Sequence, residues 1–144
     1  MKKSKPEFTW DEENKIATCV LTDEKKRVFV GEASCHENDL DMASERTGCE
    51  LAFRRAKLQY LRTVRDADIK PALKALKHLY GCMAHSTKFS AKSYEAKTIR
   101  KHIHQLEFEL ATIKEMIAYE YQGITDYIKG KEKIYIRLRN GQNQ

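Results

Sequence analysis

The sequence lacks any long apolar run and the common signatures of an enzyme active site. No apolar stretch approaches the roughly 18 residues of a transmembrane helix, and charged residues rather than an apolar signal region follow the lysine-rich start. The phosphate-binding P-loop, the dinucleotide-binding glycine motif, the zinc-protease motif and the serine-hydrolase motif are all missing. We therefore expect a cytosolic protein that is not an enzyme and has no membrane partner.

Cysteine is too scattered to form a scaffold. The four cysteines are Cys19, Cys35, Cys49 and Cys82, with no Cys-x-x-Cys pair among them, so neither a zinc ribbon nor a disulfide framework is predicted. Cys35 precedes His36 directly, but neighbours on an extended segment point to opposite faces, which disfavours a catalytic pair. His36 and Asp39 are two scattered side chains, so a metal site is not expected there. We expect reduced thiols, no metal and no cofactor.

Positive charge is concentrated in the middle third of the chain. Hydrophobic residues make up 41% and charged residues 33% of the 144 residues, as in one well-folded domain spanning 1–144. Residues 1–50 carry 8 Lys and Arg against 12 Asp and Glu, residues 51–100 carry 12 against 3, and residues 101–144 carry 7 against 6. Such a field attracts the phosphates of a polynucleotide or a small nucleotide. The alternative is a solvated basic face balanced by the acidic first third.

The pattern of apolar residues predicts an α+β fold, with an N-terminal antiparallel sheet packed with helices. A β-meander is predicted for residues 8–35, two helices within 49–83, and a long helix over 91–128. Asp66–Asp68 should end the first helix and Pro71 should begin the second. Alternation over Lys133–Arg139 predicts a short C-terminal strand, followed by a tail. The polar connection Cys35–Gly48 exceeds the usual length and is a candidate functional loop.

The long helix has an apolar seam that predicts an oligomer interface. Its seam positions are Ile99, Ile103, Leu106, Leu110, Ile113, Ile117, Tyr121, Ile124 and Ile128. The first six keep heptad a/d spacing, as in a coiled coil. A helix of about 30 residues spans roughly 45 Å, more than a domain of this size needs, so part of the seam is expected to meet a second copy. The alternative is that the seam packs on its own chain. Gly123 is the expected site of a kink or end.

Three short motifs resemble a phage protein family. They are Gly31-Glu32-Ala33-x-Cys35-His36, Thr47-Gly48-Cys49-x-x-Ala52-x-x-Arg55-Ala56 and Tyr60-Leu61-Arg62. Together with the long C-terminal helix, they make the chain, from about Phe8 to Arg139, similar to the first family of phage Thoeris anti-defence proteins.

This resemblance implies sequestration of an immune signal in the cytoplasm of an infected bacterial host. The protein would bind glycocyclic ADP-ribose, which bacterial TIR-domain enzymes make, and hold it without cleaving it, so that the host effector is not activated. Some members of the family are also able to hold cyclic di- and trinucleotides in separate pockets of a higher assembly. The implied partners are small nucleotide second messengers and further copies of the chain, as a homodimer or a higher homo-oligomer such as a hexamer.

Residue type and location suggest eight residues for such a nucleotide site. They are Arg55, Arg62, Tyr80, Phe89, Lys92, Thr98, Arg100 and His104. The four basic residues would bind phosphates through charge-assisted hydrogen bonds. One of the two aromatic rings would stack on adenine, and the threonine or the histidine would hydrogen-bond the ribose. For each aromatic ring alone, the alternative is a core residue that anchors a loop.

Two other functions remain open from the sequence. A short antiparallel sheet followed by a basic helix is loosely like a double-stranded RNA-binding domain, although the acidic first third makes polynucleotide binding unexpected. A structural adaptor whose coiled-coil seam is its function would have no nucleotide affinity.

Overall fold

The computed structural model describes residues 5–34 and 45–142, with residues 131–142 described by backbone alone. The chain has an α+β fold, as predicted. Its strands are β1 (Glu7–Asp11), β2 (Ile16–Thr22) and β3 (Val28–Ser34), which form an antiparallel sheet in the order β1-β2-β3. The helices are α1 (Glu45–Thr63), α2 (Lys70–Ala84) and α3 (Tyr94–Gln142), with a π-helical segment, Val64–Ile69, between α1 and α2.

The described chain divides into two compact units. One contains the described parts of Met1–Tyr60 and Ala118–Gln144, and the other is Leu61–Ile117. The first unit therefore holds the sheet, most of α1 and the last part of α3. The second holds the π-helical segment, α2 and the first part of α3.

Polar side chains shape both β-hairpins of the first unit. After β1, the Asp11 carboxylate accepts hydrogen bonds from the backbone N–H groups of Glu13 and Asn14, both at 3.1 Å. After β2, Arg27 donates from its backbone N and from Nε to the Asp23 carboxylate, at 2.8 and 2.7 Å. Aspartate favours turns because its short side chain bonds backbone N–H groups a few residues ahead.

The core of the first unit lies between one face of the sheet and α1. Alternate residues of β2 and β3 are buried there against small residues of α1; the cluster is Ala17, Cys19, Leu21, Phe29, Ala33, Leu51, Ala52 and Ala56. Ile124 and Tyr127 of α3 pack against the same cluster. Gly31 permits the close approach of β3 and α1, because a Cβ there would overlap the backbone of Ala52 and Ala56.

In the second unit, α2 and the first part of α3 pack antiparallel. Lys77 of α2 forms an ion pair with Glu107 of α3 at 3.2 Å, and Tyr80, further along α2, meets Arg100, which comes earlier in α3. Leu73 is buried on α2, and Ala96 and Ile113 are buried on α3. Ser93 begins α3 by accepting a hydrogen bond from the backbone N of Ala96 at 3.2 Å, a standard N-cap interaction.

The expected break between the first two helices is instead a π-helical segment. Thr63 and Lys70, which flank it, both have right-handed helical backbone angles. Pro71 lacks an N–H group and its ring collides with the carbonyl four residues earlier in a regular α-helix. Widening the turn before Pro71 accommodates the proline while the chain stays helical.

Two sequence predictions about element ends are wrong. No strand forms over Lys133–Arg139, because α3 continues to Gln142. Of the two outcomes expected at Gly123, a kink or an end, the end does not occur, since the helix runs through this residue. Residues 45–48 were predicted to belong to the polar connection, but they are helical, because α1 begins at Glu45 and not at Cys49. The remainder of the predicted polar connection, with Cys35, His36 and Asp39, lies outside the described residues.

Among the residues that the structure describes, none of the helices is long and apolar enough to cross a membrane.

Candidate functional site

Three predicted site residues, from three parts of the second unit, form one cluster. The Tyr80 and Phe89 rings lie edge to face, with centroids 5.7 Å apart and an interplanar angle of 88°. The Arg100 guanidinium lies 6.0 Å from the centroid of the Tyr80 ring, and its Nη1 donates a hydrogen bond to the Tyr80 hydroxyl at 3.0 Å. All three side chains are half-buried. We call Tyr80, Phe89 and Arg100 the aromatic–arginine cluster.

Two serine turns hold the connecting segment that carries Phe89. The backbone N of Phe89 donates to the Ser86 carbonyl at 3.1 Å, and the backbone N of Ser93 donates to the Ser90 carbonyl at 3.0 Å. The hydroxyls of the same two serines, Ser86 and Ser90, accept from the backbone N of Lys88 and Lys92, both at 3.3 Å. This pattern ties the segment between α2 and α3 to local turns, so Phe89 has a defined position.

Arg100 also contacts this connecting segment. Its Nη2 donates to the carbonyl of Ala91 at 2.7 Å. A guanidinium has five N–H donors, so the two bonds to Tyr80 and Ala91 orient its plane and leave other donors for an anion. The cluster is thus a ring surface beside a fixed guanidinium fork, a geometry that suits a base and a phosphate together.

The chain around the cluster is strongly basic. Between residues 70 and 101 there are eight Lys and Arg residues and one acidic residue, Glu95. Lys88, Lys92, Lys97 and Lys101 are exposed. Their charges raise the local concentration of anions without committing the surface to one ligand.

The remaining predicted residues of α3 and its approach lie near the cluster in sequence but are not joined to it by hydrogen bonds. Lys92 is exposed one residue after Ala91. The Thr98 hydroxyl donates to the Tyr94 carbonyl of its own helix at 2.8 Å. His104 lies one turn after Arg100, with Nδ1 3.8 Å from a carboxylate oxygen of Glu107.

The two predicted arginines of α1 are not part of the cluster's contacts. Arg55 belongs to the first unit, where its Nη1 donates to the carbonyl of Glu32 in β3 at 2.6 Å. Gln59 of the same helix accepts from the backbone N of Val30 at 3.1 Å. Arg55 and Gln59 therefore form hydrogen bonds with main-chain groups along the edge of β3 that does not pair with β2. Arg62 is exposed near the end of α1.

The predicted seam of α3 is only partly covered within one chain. Ile113 is buried, while the positions before it are half-buried. Tyr121 is 58% exposed and Ile128 is 40% exposed. Two seam residues of the first unit are therefore open to solvent in a single copy.

Sequence reasoning missed a buried ion cluster in the first unit. Glu120 of α3, whose side chain is 6% exposed, accepts contacts from Arg54 at 3.3 Å and from Lys57 at 3.1 Å. The Arg54 guanidinium lies against Gly123, in space that a Cβ at residue 123 would take up. The available signal was a glycine inside a long helix, three residues after an acidic residue.

The surroundings shift the pKa values of two described thiols upward and of a described carboxylate downward. Burial raises the pKa of the Cys19 thiol, with Cys49 adding to the rise, and burial also raises the pKa of Cys49. Hydrogen bonds from Arg65, and then from Lys70, lower the pKa of Asp66 to about 2. The described residues contain no group of three or more His, Cys, Asp or Glu side chains arranged to hold a metal.

No family model, curated protein or solved structure matches this chain.

Proposed function

We propose that this protein binds a small nucleotide signal of the glycocyclic ADP-ribose type and sequesters it without cleaving it. The observation that carries the proposal is the aromatic–arginine cluster, in which a half-buried ring lies beside a guanidinium fixed by two hydrogen bonds. Adenine stacks on aromatic rings, and the Arg fork bonds two phosphate oxygens at once. The family resemblance of the three motifs supports the same ligand class.

Charge and chemistry favour sequestration over turnover. The basic stretch from residue 70 to residue 101 supports attraction of a pyrophosphate. Hydrolysis or group transfer needs a nucleophile or a general base poised by its surroundings, and strongly perturbed pKa values mark such groups. The pKa of Asp66 is lowered to about 2, away from the range of a base at neutral pH.

We also propose a homo-oligomer, in which exposed seam residues of α3 meet a second copy. Tyr121 and Ile128 continue an apolar helical pattern yet remain open in one chain. Burying such residues between copies removes apolar area from water. By resemblance, the assembly acts in the cytoplasm of an infected bacterial host and keeps the signal from its effector.

The decisive experiment is to identify what the purified protein retains. The protein is mixed with glycocyclic ADP-ribose, and in parallel with a cyclic trinucleotide; free ligand is removed, the protein is heat-denatured, and the released compound is identified by mass spectrometry. We expect intact nucleotide in near-stoichiometric amount. A cleaved product would show an enzyme, and no recovery from either sample would refute the proposal for these ligands.

A polynucleotide-binding activity is distinguished by salt. Binding to RNA or DNA through several phosphates weakens steeply as salt rises, because counterions are released on binding. Binding of a small nucleotide that also stacks on a ring should weaken much less over the same range. A steep salt dependence with single- or double-stranded nucleic acid, together with no retained nucleotide, would favour that alternative.

A further inference from the structure

The last turns of α2 carry a thiol and an imidazole close together, away from the aromatic–arginine cluster's contacts. The Sγ atom of Cys82 lies 3.6 Å from the Nε2 atom of His78. Both side chains are exposed, and both belong to α2, where residues four apart share a face. Thiolate and imidazole are the side-chain ligands that zinc-like transition metals prefer.

The separation of these two atoms suits a single tetrahedral ion. Zinc lies about 2.3 Å from a cysteine sulfur and about 2.0–2.1 Å from a histidine nitrogen, so two such donors at a tetrahedral angle are about 3.6 Å apart. The observed Sγ–Nε2 distance is 3.6 Å. Little side-chain rearrangement is therefore needed for both atoms to bind one ion.

We propose that His78 and Cys82 form a bidentate site for a divalent transition-metal ion of the zinc type. On binding, the Cys82 thiol releases its proton to the solvent and its sulfur forms the metal bond, while neutral His78 donates the lone pair of Nε2 and keeps its proton on Nδ1. No electron is transferred. The proposal does not depend on the nucleotide site.

Two coordination positions stay open to water or to a further ligand. Within the described part of the chain, no third His, Cys, Asp or Glu completes the group. Structural zinc sites have four protein ligands, so this site should bind its ion more weakly and exchange it more readily. By joining consecutive turns, the ion should also stabilise the end of α2.

The other described thiols differ from Cys82 in accessibility. Cys19 is fully buried and Cys49 is half-buried, whereas Cys82 is exposed. A metal ion from solution therefore reaches the sulfur of Cys82 more easily than that of Cys19 or Cys49. Cys35 lies outside the described residues, and the Cys35→Ser variant tests whether metal binding needs that thiol.

The test is a titration of the full, reduced chain with Co²⁺, a spectroscopic substitute for Zn²⁺. We expect thiolate-to-cobalt charge-transfer absorption that saturates and is removed by adding Zn²⁺. Cys82→Ser should abolish the band, and His78→Ala should weaken Co²⁺ binding by about tenfold or more, which corresponds to about 1.4 kcal/mol. Cys35→Ser and Cys49→Ser should keep the band.

A second measurement separates ion binding from damage to the fold. Zn²⁺ should raise the melting temperature of the wild-type chain and of Cys35→Ser, but not of Cys82→Ser, since an ion that binds only the folded state stabilises it. Both substituted side chains are exposed, so circular dichroism should show folded variants. Absence of the band in the wild type, its persistence in Cys82→Ser, or unchanged affinity in His78→Ala would overturn the proposal.

Discussion

The Arg100 side chain is oriented by the protein before any ligand binds. Its two protein hydrogen bonds reach the Tyr80 hydroxyl of α2 and the Ala91 carbonyl of the connecting segment. A fixed guanidinium loses less conformational entropy on binding an anion than a free lysine does. This is the reason to weigh Arg100 above the exposed lysines around it.

Phe89→Ala and Arg100→Ala should each weaken nucleotide binding at least about tenfold, or about 1.4 kcal/mol. The first removes the stacking surface and the second removes the phosphate fork; calorimetric titration measures both. Lys101→Ala is the matched control, because it removes one neighbouring positive charge that is exposed. Wild-type affinity in both cluster variants would place the ligand elsewhere.

Asp66 makes stability depend on acid pH. Arg65 donates to its carboxylate at 2.8 and 3.1 Å, and Lys70 lies at 3.3 Å. Because the pKa of folded Asp66 is lowered to about 2 from 3.8, its stabilising contribution is present above about pH 4 and is lost as the pH falls through about 2.

Asp66→Asn should therefore reduce the loss of stability between about pH 4 and pH 2. Urea unfolding at several pH values measures this slope, and an NMR titration of the carboxyl carbon measures the pKa directly. Glu115→Gln, which removes one exposed carboxylate of α3, is the control. An Asp66 pKa near 3.8 would contradict the prediction.

At the level of elements, β3 and α1 approach so closely that only glycine fits at one position. Gly31→Ala places a methyl group against the backbone of Ala52 and Ala56, which cannot rotate away as a side chain could. We expect a loss of at least about 1–3 kcal/mol in the free energy of unfolding, the usual cost of overpacking.

Gly81→Ala is the matched control for that substitution. Gly81 lies in α2 with open space around the position of a Cβ, so alanine should stabilise the helix by up to about 1 kcal/mol. Urea unfolding followed by circular dichroism compares the two variants. Equal effects of the two substitutions would show that β3 and α1 can separate at little cost.

The buried carboxylate of Glu120 joins α1 to α3. Glu120→Gln should lower the free energy of unfolding by about 1–2 kcal/mol, less than a fully buried pair, because its partners Arg54 and Lys57 are 38% and 36% exposed. Urea unfolding measures the change, with Glu115→Gln as the exposed control on the same helix. A loss no larger than that of the control would mean that water replaces the ion pairs.

Glu120 also shows why sequence patterning was incomplete. An apolar stripe assigns an acidic residue to solvent, and its burial here depends on two basic residues more than sixty positions earlier. The prediction of a C-terminal strand was wrong for another reason. A short alternating run also places apolar residues at positions i and i+4, and a helix that is already nucleated extends through such a run at little cost.

For the molecule as a whole, we expect a second copy of the chain to cover the exposed seam residues of α3. Tyr121→Glu combined with Ile128→Glu should lower the mass measured by light scattering, because two buried carboxylates would oppose association. Tyr119→Glu is the control, since Tyr119 is 69% exposed and lies outside the seam pattern. An unchanged mass in the double variant would remove these positions from the interface.

Sequence patterns were sufficient to predict the α+β class, the β-hairpins and the long amphipathic helix, because hydrophobic periodicity and turn residues act locally. It also indicated Tyr80, Phe89 and Arg100 as candidate partners of one ligand. The packing of the folded chain was needed to show that these three contact one another while Arg55 binds the edge of β3. Contacts between distant residues depend on how helices pack, and the spacing of residues along one element does not contain that information.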